Sequence, residues 1–105
     1  MANTTTFAAL ADKHRHEIIQ RLAQKPLSVG SLASHFSISR PAISQHLKVL
    51  SDAGLVHVRQ EGTRRIYAVN RQGIAEMRAY LDGLWNDAFA AYAEAAQTLS
   101  EKDTP

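Results

Sequence analysis

The chain has 105 residues, 45% hydrophobic and 21% charged, a balance suited to one small folded domain over 1–105. It contains no cysteine, which excludes disulfides, thiolate metal sites and thiol redox switches, and its formal net charge is only +2. The N-terminus shows no basic leader ahead of an apolar run, and no apolar stretch approaches the roughly 20 residues of a membrane span, so neither a signal peptide nor a membrane partner is expected.

In chain order, Asn3 or a following threonine can cap a short helix carrying Phe7, Ala8, Leu10 and Ala11. Asp12 can cap a second helix over 13–24, whose Ile18, Ile19, Leu22 and Ala23 form one apolar stripe. Pro26 ends it, and Ser28 opens a third helix over 29–35 with Val29, Leu32, Ala33 and Phe36 on its apolar side. After the polar link "SIS", Ser39 is a good N-cap and Pro41 fits a first turn, so a fourth helix is expected to occupy 39–53 and to end at Gly54. Two helices joined by so short a link are the mark of a helix-turn-helix. Strands follow at Val56–Arg59 and Ile66–Val69 around Glu61-Gly62-Thr63, giving a hairpin over 55–69. A last helix over 71–100 is capped by Asn70 and is long for a globular domain, with "EKDTP" expected to fray. The expected architecture is mainly α with a small β-hairpin, in the order α-α-α-α-β-β-α.

Charge is unevenly distributed along this order. Residues 38–71 hold six basic side chains against two acidic, whereas 72–105 hold two basic against six acidic. The middle can face a polyanion and the tail would avoid one. On the fourth helix, Ile43, Leu47 and Leu50 fall within about 60° of each other, leaving Arg40, Pro41, Ser44, Gln45 and Lys48 on the remaining surface. A major groove admits one such helix. There Arg pairs with guanine, Gln with adenine, Ser allows close approach, and Lys reaches base or phosphate. Taken alone this is also what a merely solvated helix face looks like. A helix-turn-helix followed by a Gly-tipped, Arg-rich hairpin, however, reads as a winged helix-turn-helix, with Arg59, Arg64 and Arg65 in the wing beside the same duplex. The DNA-contacting set expected is therefore Ser39, Arg40, Pro41, Ser44, Gln45, Lys48, Arg59, Arg64 and Arg65.

Four segments in fixed order, "ALAD" before a basic helix, "PLSVGSLA", "SRPAISQHLKVLSDAGLV" and "EGTRRIYAV", make residues 7–90 resemble the ArsR family. These are small dimeric winged-helix repressors of bacteria and archaea. Lys13 departs from the proline that relatives often carry after "LAD". The resemblance implies a homodimer that reads a pseudo-palindromic operator, usually to repress its own operon, and a cytoplasmic, nucleoid-associated location. It also implies a dimer seam between the first and last helices, placing Phe7 and Leu10 there with Leu81, Leu84, Trp85 and Ala88. Metal-sensing relatives carry two cysteines where this chain has Ser28 and Gly30, or Asp and His ligands on the final helix, which here has no histidine. His14 and His16 point about 200° apart on a helix and cannot easily share an ion, while His35 and His46 stand alone in sequence. No metal and no cofactor are therefore expected. An effector, if one exists, would be a small organic molecule or another protein.

The last helix carries two adjacent apolar stripes. One contains Ile74, Met77, Leu81, Leu84, Ala88, Ala91 and Ala95, and the other Trp85, Phe89, Tyr92, Ala96 and Leu99. One stripe suffices to dock a helix on its own domain, so two suggest a further contact. No phosphate loop, nucleophile elbow or catalytic cluster is present, so no enzyme is expected. The competing reading is a winged-helix module that binds protein rather than specific DNA.

Overall fold

The computed structural model describes residues 4–102, with the side chains of positions 5–100. The cap proposed at Asn3 lies outside the described residues, as do the last three residues of the "EKDTP" end expected to fray; its first two, Glu101 and Lys102, instead continue the last helix. The elements are α1 (Thr4–Ala11), α2 (Lys13–Gln24), β1 (Leu27–Ser28), α3 (Val29–Ala33), α4 (Arg40–Asp52), β2 (Val56–Glu61), β3 (Arg64–Val69) and α5 (Arg71–Lys102). Helices α3 and α4 form the helix-turn-helix and β2–β3 the wing.

One element differs from expectation. Leu27 and Ser28 pair antiparallel with Tyr67 and Ile66, so the hairpin is the larger part of a three-stranded sheet ordered β1-β3-β2. Two residues carry no alternation that could reveal a strand from sequence. The third helix is also shorter than expected, because Ser34 closes it as C-cap.

The caps follow the side chains that supply them. The Asp12 carboxylate accepts from the N–H groups of His14 and Arg15 at 2.9 and 3.1 Å, which starts α2 directly after α1. Ser28 Oγ accepts from Ser31 N at 3.2 Å and Ser39 Oγ from Ala42 N at 3.3 Å. At the end of α4, Gly54 takes φ 77°, Leu55 N donates to Leu50 O and Gly54 N to Ser51 O. This paired bonding ends α4 and turns the chain into β2.

The core gathers one stripe from each helix. Ile18 and Leu22 of α2, Leu32 of α3 and Ile43, Leu47 and Leu50 of α4 are buried with Leu55, Val56 and Tyr67. Burying six fully enclosed aliphatic side chains, at about 1.5–3 kcal/mol each, is what fixes α4 in place. In α1 the buried positions are Thr6 and Ala9, while Leu10 is half-buried.

Helix α5 leaves this body at its first turns. Met77 is buried and Ile74 half-buried, but every residue from Arg78 to Ser100 is exposed. The molecule consequently extends over 75 × 26 × 22 Å. Among the described residues no helix is long and apolar enough to cross a membrane.

Candidate DNA-binding face

Helix α4 shows the two-sided character read from its sequence. Ile43, Leu47 and Leu50 are fully buried, whereas Arg40, Pro41, Ser44, Gln45 and Lys48 are exposed. The outward set begins at the capped N-terminus, where Ser39 and Arg40 stand. In the last turns Lys48 Nζ lies 3.4 Å from Asp52, an exposed pair worth only tenths of a kcal/mol and readily exchanged for a phosphate.

The wing turns at Gly62 and Thr63. Gly62 has φ 63° and Thr63 does not enter the positive region, the sign pattern of a type II′ turn. Register then decides what each arginine faces. Gln60 is paired with Arg65 and Val58 with Tyr67, so these four share one side of the hairpin. Arg59 is paired with Ile66 and Glu61 with Arg64, and these occupy the other side.

The Arg65 side looks onto α4. Arg40, Pro41, Ser44, Gln45 and Lys48 from the helix and Val58, Arg65 and Tyr67 from the wing line one open groove of about 670 Å³. Val58 is accordingly 38% exposed rather than part of the core. The Arg65 guanidinium lies 6.0 Å from the Tyr67 ring centroid, a cation–π contact that orients it.

A second hollow of about 320 Å³ brings Arg40, Arg64 and Arg65 together beside Ser28, Gly30 and Thr63. Arg64 Nη2 donates to Ser28 Oγ at 3.2 Å, the oxygen that also caps α3. Arg64 therefore ties the wing to the helix-turn-helix as well as adding charge. Arg59 joins neither hollow: its Nε donates to Glu61 at 2.7 Å. Of the nine residues expected to touch DNA, seven line these hollows; Ser39 lines neither but caps α4 beside Arg40, and Arg59 stands apart, ion-paired with Glu61.

One group was not visible in the sequence. Asp12, His14 and His46 bring ligand-type atoms within 4.8 Å of one another, and the rings of His14 and His46 are 5.5 Å apart. The partner of His14 is thus His46 of α4, not His16. Arg15 occupies the same space: its Nη1 is 3.3 Å from His46 Nδ1, and its Nε donates to Ala9 O at 2.6 Å. A fixed guanidinium already supplies the positive charge, so the cluster reads as a tie between α1, α2 and α4, and a cation would have to displace Arg15. The Arg15 N–H bond, then the His14 N–H bond and the charges of Arg15 and His46, hold the Asp12 carboxyl below its ordinary 3.8 despite partial desolvation.

A helix-turn-helix, a three-stranded sheet whose wing shares a groove with the second helix, and a long final helix define a winged helix-turn-helix protein. The model of the bacterial regulatory proteins of the arsR family matches residues 12–58. The HTH-type transcriptional regulator Rv2034 of Mycobacterium tuberculosis is 51% identical over 82% of this chain and 80% of its own length. The ArsR-like transcriptional regulator from Rhodococcus sp. RHA1 superposes with a TM-score of 0.83 at 29% identity, covering 90% of each chain. A homodimeric winged helix-turn-helix DNA-binding domain, Mb0332 from Mycobacterium bovis, gives a TM-score of 0.65 at 28% identity, covering 80% of this chain and 78% of that one. The chain belongs to the ArsR family, whose members are DNA-binding transcriptional regulators and not enzymes.

Proposed function

We propose that this protein is a homodimeric transcriptional repressor that binds a pseudo-palindromic operator in double-stranded DNA, including one near its own gene. The observation that carries the reading is the shared groove: Arg40, Ser44, Gln45 and Lys48 of α4 face the same opening as Arg65 of the wing. A helix placed in the major groove with its first turns inward presents Arg40, Ser44 and Gln45 to base edges. Ser39, Pro41 and Lys48 then lie near the backbone, and Arg64 and Arg65 reach phosphates flanking the site. Arg59 is a weaker, outer contact because Glu61 must release it first.

Dimerisation supplies the geometry of the operator. Two copies of α4 about 34 Å apart would enter successive major grooves on one face of the duplex. Phe7, Leu10, Leu81, Leu84, Trp85 and Ala88 are the seam residues proposed, and Leu81, Leu84 and Trp85 are exposed in the single chain. Repression follows from occupying the duplex where polymerase would bind. The protein would act in the cytoplasm at the nucleoid without resident metal or cofactor, its effector being a small organic molecule or none.

Selection of bound fragments from the source genome, followed by gel shifts at two salt concentrations, tests this reading. A recovered inverted repeat bound far more tightly than random duplex is expected. Equal, weak binding to all duplexes would favour a protein-interaction module instead.

A further inference from the structure

The cations of α4 and the wing differ in how their charge is met. Lys48 is paired with Asp52 and Arg59 with Glu61. Arg40, Arg64 and Arg65 have no carboxylate partner among the described residues, yet all three line the hollow of about 320 Å³ between the wing and the start of α3. The rest of that lining is uncharged. Neutral groups set where the guanidiniums stand. Arg64 Nη2 donates to Ser28 Oγ at 3.2 Å, and Arg65 lies 6.0 Å from the Tyr67 ring centroid. Arg40 reaches back from the first turn of α4 over α3, where a Cβ built on Gly30 would lie 3.8 Å from its Nη1. Three like charges in one hollow repel one another, so the arrangement lacks a counter-charge. A concave surface of one sign concentrates counter-ions, and guanidinium forks match the oxygens of a phosphate.

We propose that this hollow is a seat for one phosphate group, and that off DNA a free phosphate monoester occupies it and competes there with the operator. This rests on the DNA-binding face proposed above and gives the effector of that reading a chemistry. Competition follows from shared residues, because Arg40 and Arg65 line both this hollow and the larger groove beside α4. A duplex in the groove draws on these two arginines through its backbone. A monoester in the seat takes the same two and adds negative charge where the duplex must approach. Charge favours the free ligand as counter-ion: a monoester approaches two negative charges at neutral pH, its second pKa being about 6, whereas a backbone diester carries one. Size favours an ester over a bare ion, since small-molecule sites run from about 300 to 1,000 Å³ and this hollow reaches that range.

Calorimetric titration of the free protein with phenyl phosphate, at fixed ionic strength, tests the seat without DNA. Saturable binding with a dissociation constant of about 1 mM or below is expected. Arg40→Gln and Arg64→Gln should each weaken it about tenfold or more. Arg40 is exposed and makes no hydrogen bond or ion pair within the described chain, so its loss does not act through folding. Lys13→Gln, which removes an exposed charge from α2 outside the hollow, should change the affinity less than about twofold. In an anisotropy assay, phenyl phosphate should release bound operator more effectively than sodium chloride of equal ionic strength. Absence of saturable binding, or an equal loss in Lys13→Gln, would overturn the seat and leave the DNA-binding face standing. Inorganic phosphate binding as tightly as phenyl phosphate would overturn the ester. Saturable binding that releases no more operator than chloride does would overturn the competition. A parent chain that binds operator no better than random duplex would instead remove the reading on which the competition rests, and the calorimetry would still decide the seat.

Discussion

Gly73 offers a sharp test of how α5 is joined to α4. It sits in the first turn of α5, where Asn70 Oδ1 accepts from its N–H at 3.4 Å. A Cβ built there would come within 1.9 Å of the Gly54 carbonyl oxygen and 3.0 Å of its carbon. Both are backbone atoms of the turn that ends α4, and that turn is fixed by the Leu55 N to Leu50 O bond. Gly73→Ala gains up to about 1 kcal/mol of helix propensity. The overlap exceeds an ångström, however, so α5 or the Gly54 turn must move, and overpacking of that kind costs about 1–3 kcal/mol or more. The net effect expected is destabilisation by about 1–2 kcal/mol, lowering the melting temperature by about 4–15 °C in a domain of this size.

Gly83, in the same helix, is the matched control. Nothing lies within 4 Å of a Cβ placed there. Gly83→Ala should therefore raise stability by up to about 1 kcal/mol. Urea and thermal unfolding followed by circular dichroism at equal protein concentration measure both, with concentration held fixed because the proposed dimer would contribute. Operator affinity should fall for Gly73→Ala and stay level for Gly83→Ala, since only the former shifts α5 against α4. If both substitutions stabilise alike, the close approach of α5 to the Gly54 turn is wrong.

Other substitutions probe the face itself. Gln45→Ala should cost about 1–3 kcal/mol on the operator and relax base preference, measured by anisotropy against operator and random duplex; equal losses on both would count against direct readout. Arg64→Ala with Arg65→Ala should weaken binding to every sequence and flatten the dependence of affinity on salt, because fewer counterions are released. Arg59→Ala should change that slope less, since Glu61 already holds the guanidinium. An unchanged slope in the double variant would falsify the wing contact. Asp12→Ala should lose about 1 kcal/mol of stability at neutral pH through the missing cap. The Asp12 pKa is lowered in the folded chain. Its contribution is therefore present above 3.8 and lost as pH falls through the folded value below it. Urea titrations should show the gap between parent and variant narrowing as pH falls below 3.8, and a gap that does not narrow would refute the cap's role.

Much of the architecture was legible in local chemistry. Asp12, Ser28 and Ser39 are caps because a short side-chain oxygen beside a free backbone N–H has one strong use. Gly54 and Gly62 mark turns because both take a positive φ that other residues resist. The α4 stripe of Ile43, Leu47 and Leu50 was readable because a single helix buries one side. Strand β1 was not, since two residues carry no period. Nor was the inward position of Ile66 together with Tyr67, because β3 is covered on both faces near β1, which hides alternation.

Which helices form, where they begin and which side of each is apolar depend on neighbours within four or five residues, so local order was enough to read them. That Arg65 shares a groove with Gln45 while Arg59 faces away, and that His46 meets Asp12 and Arg15, came from the packing of distant segments. Strand register and helix packing join residues far apart in the chain. A pairing shifted by one residue would reverse which wing arginine points at α4, and no local pattern encodes that choice.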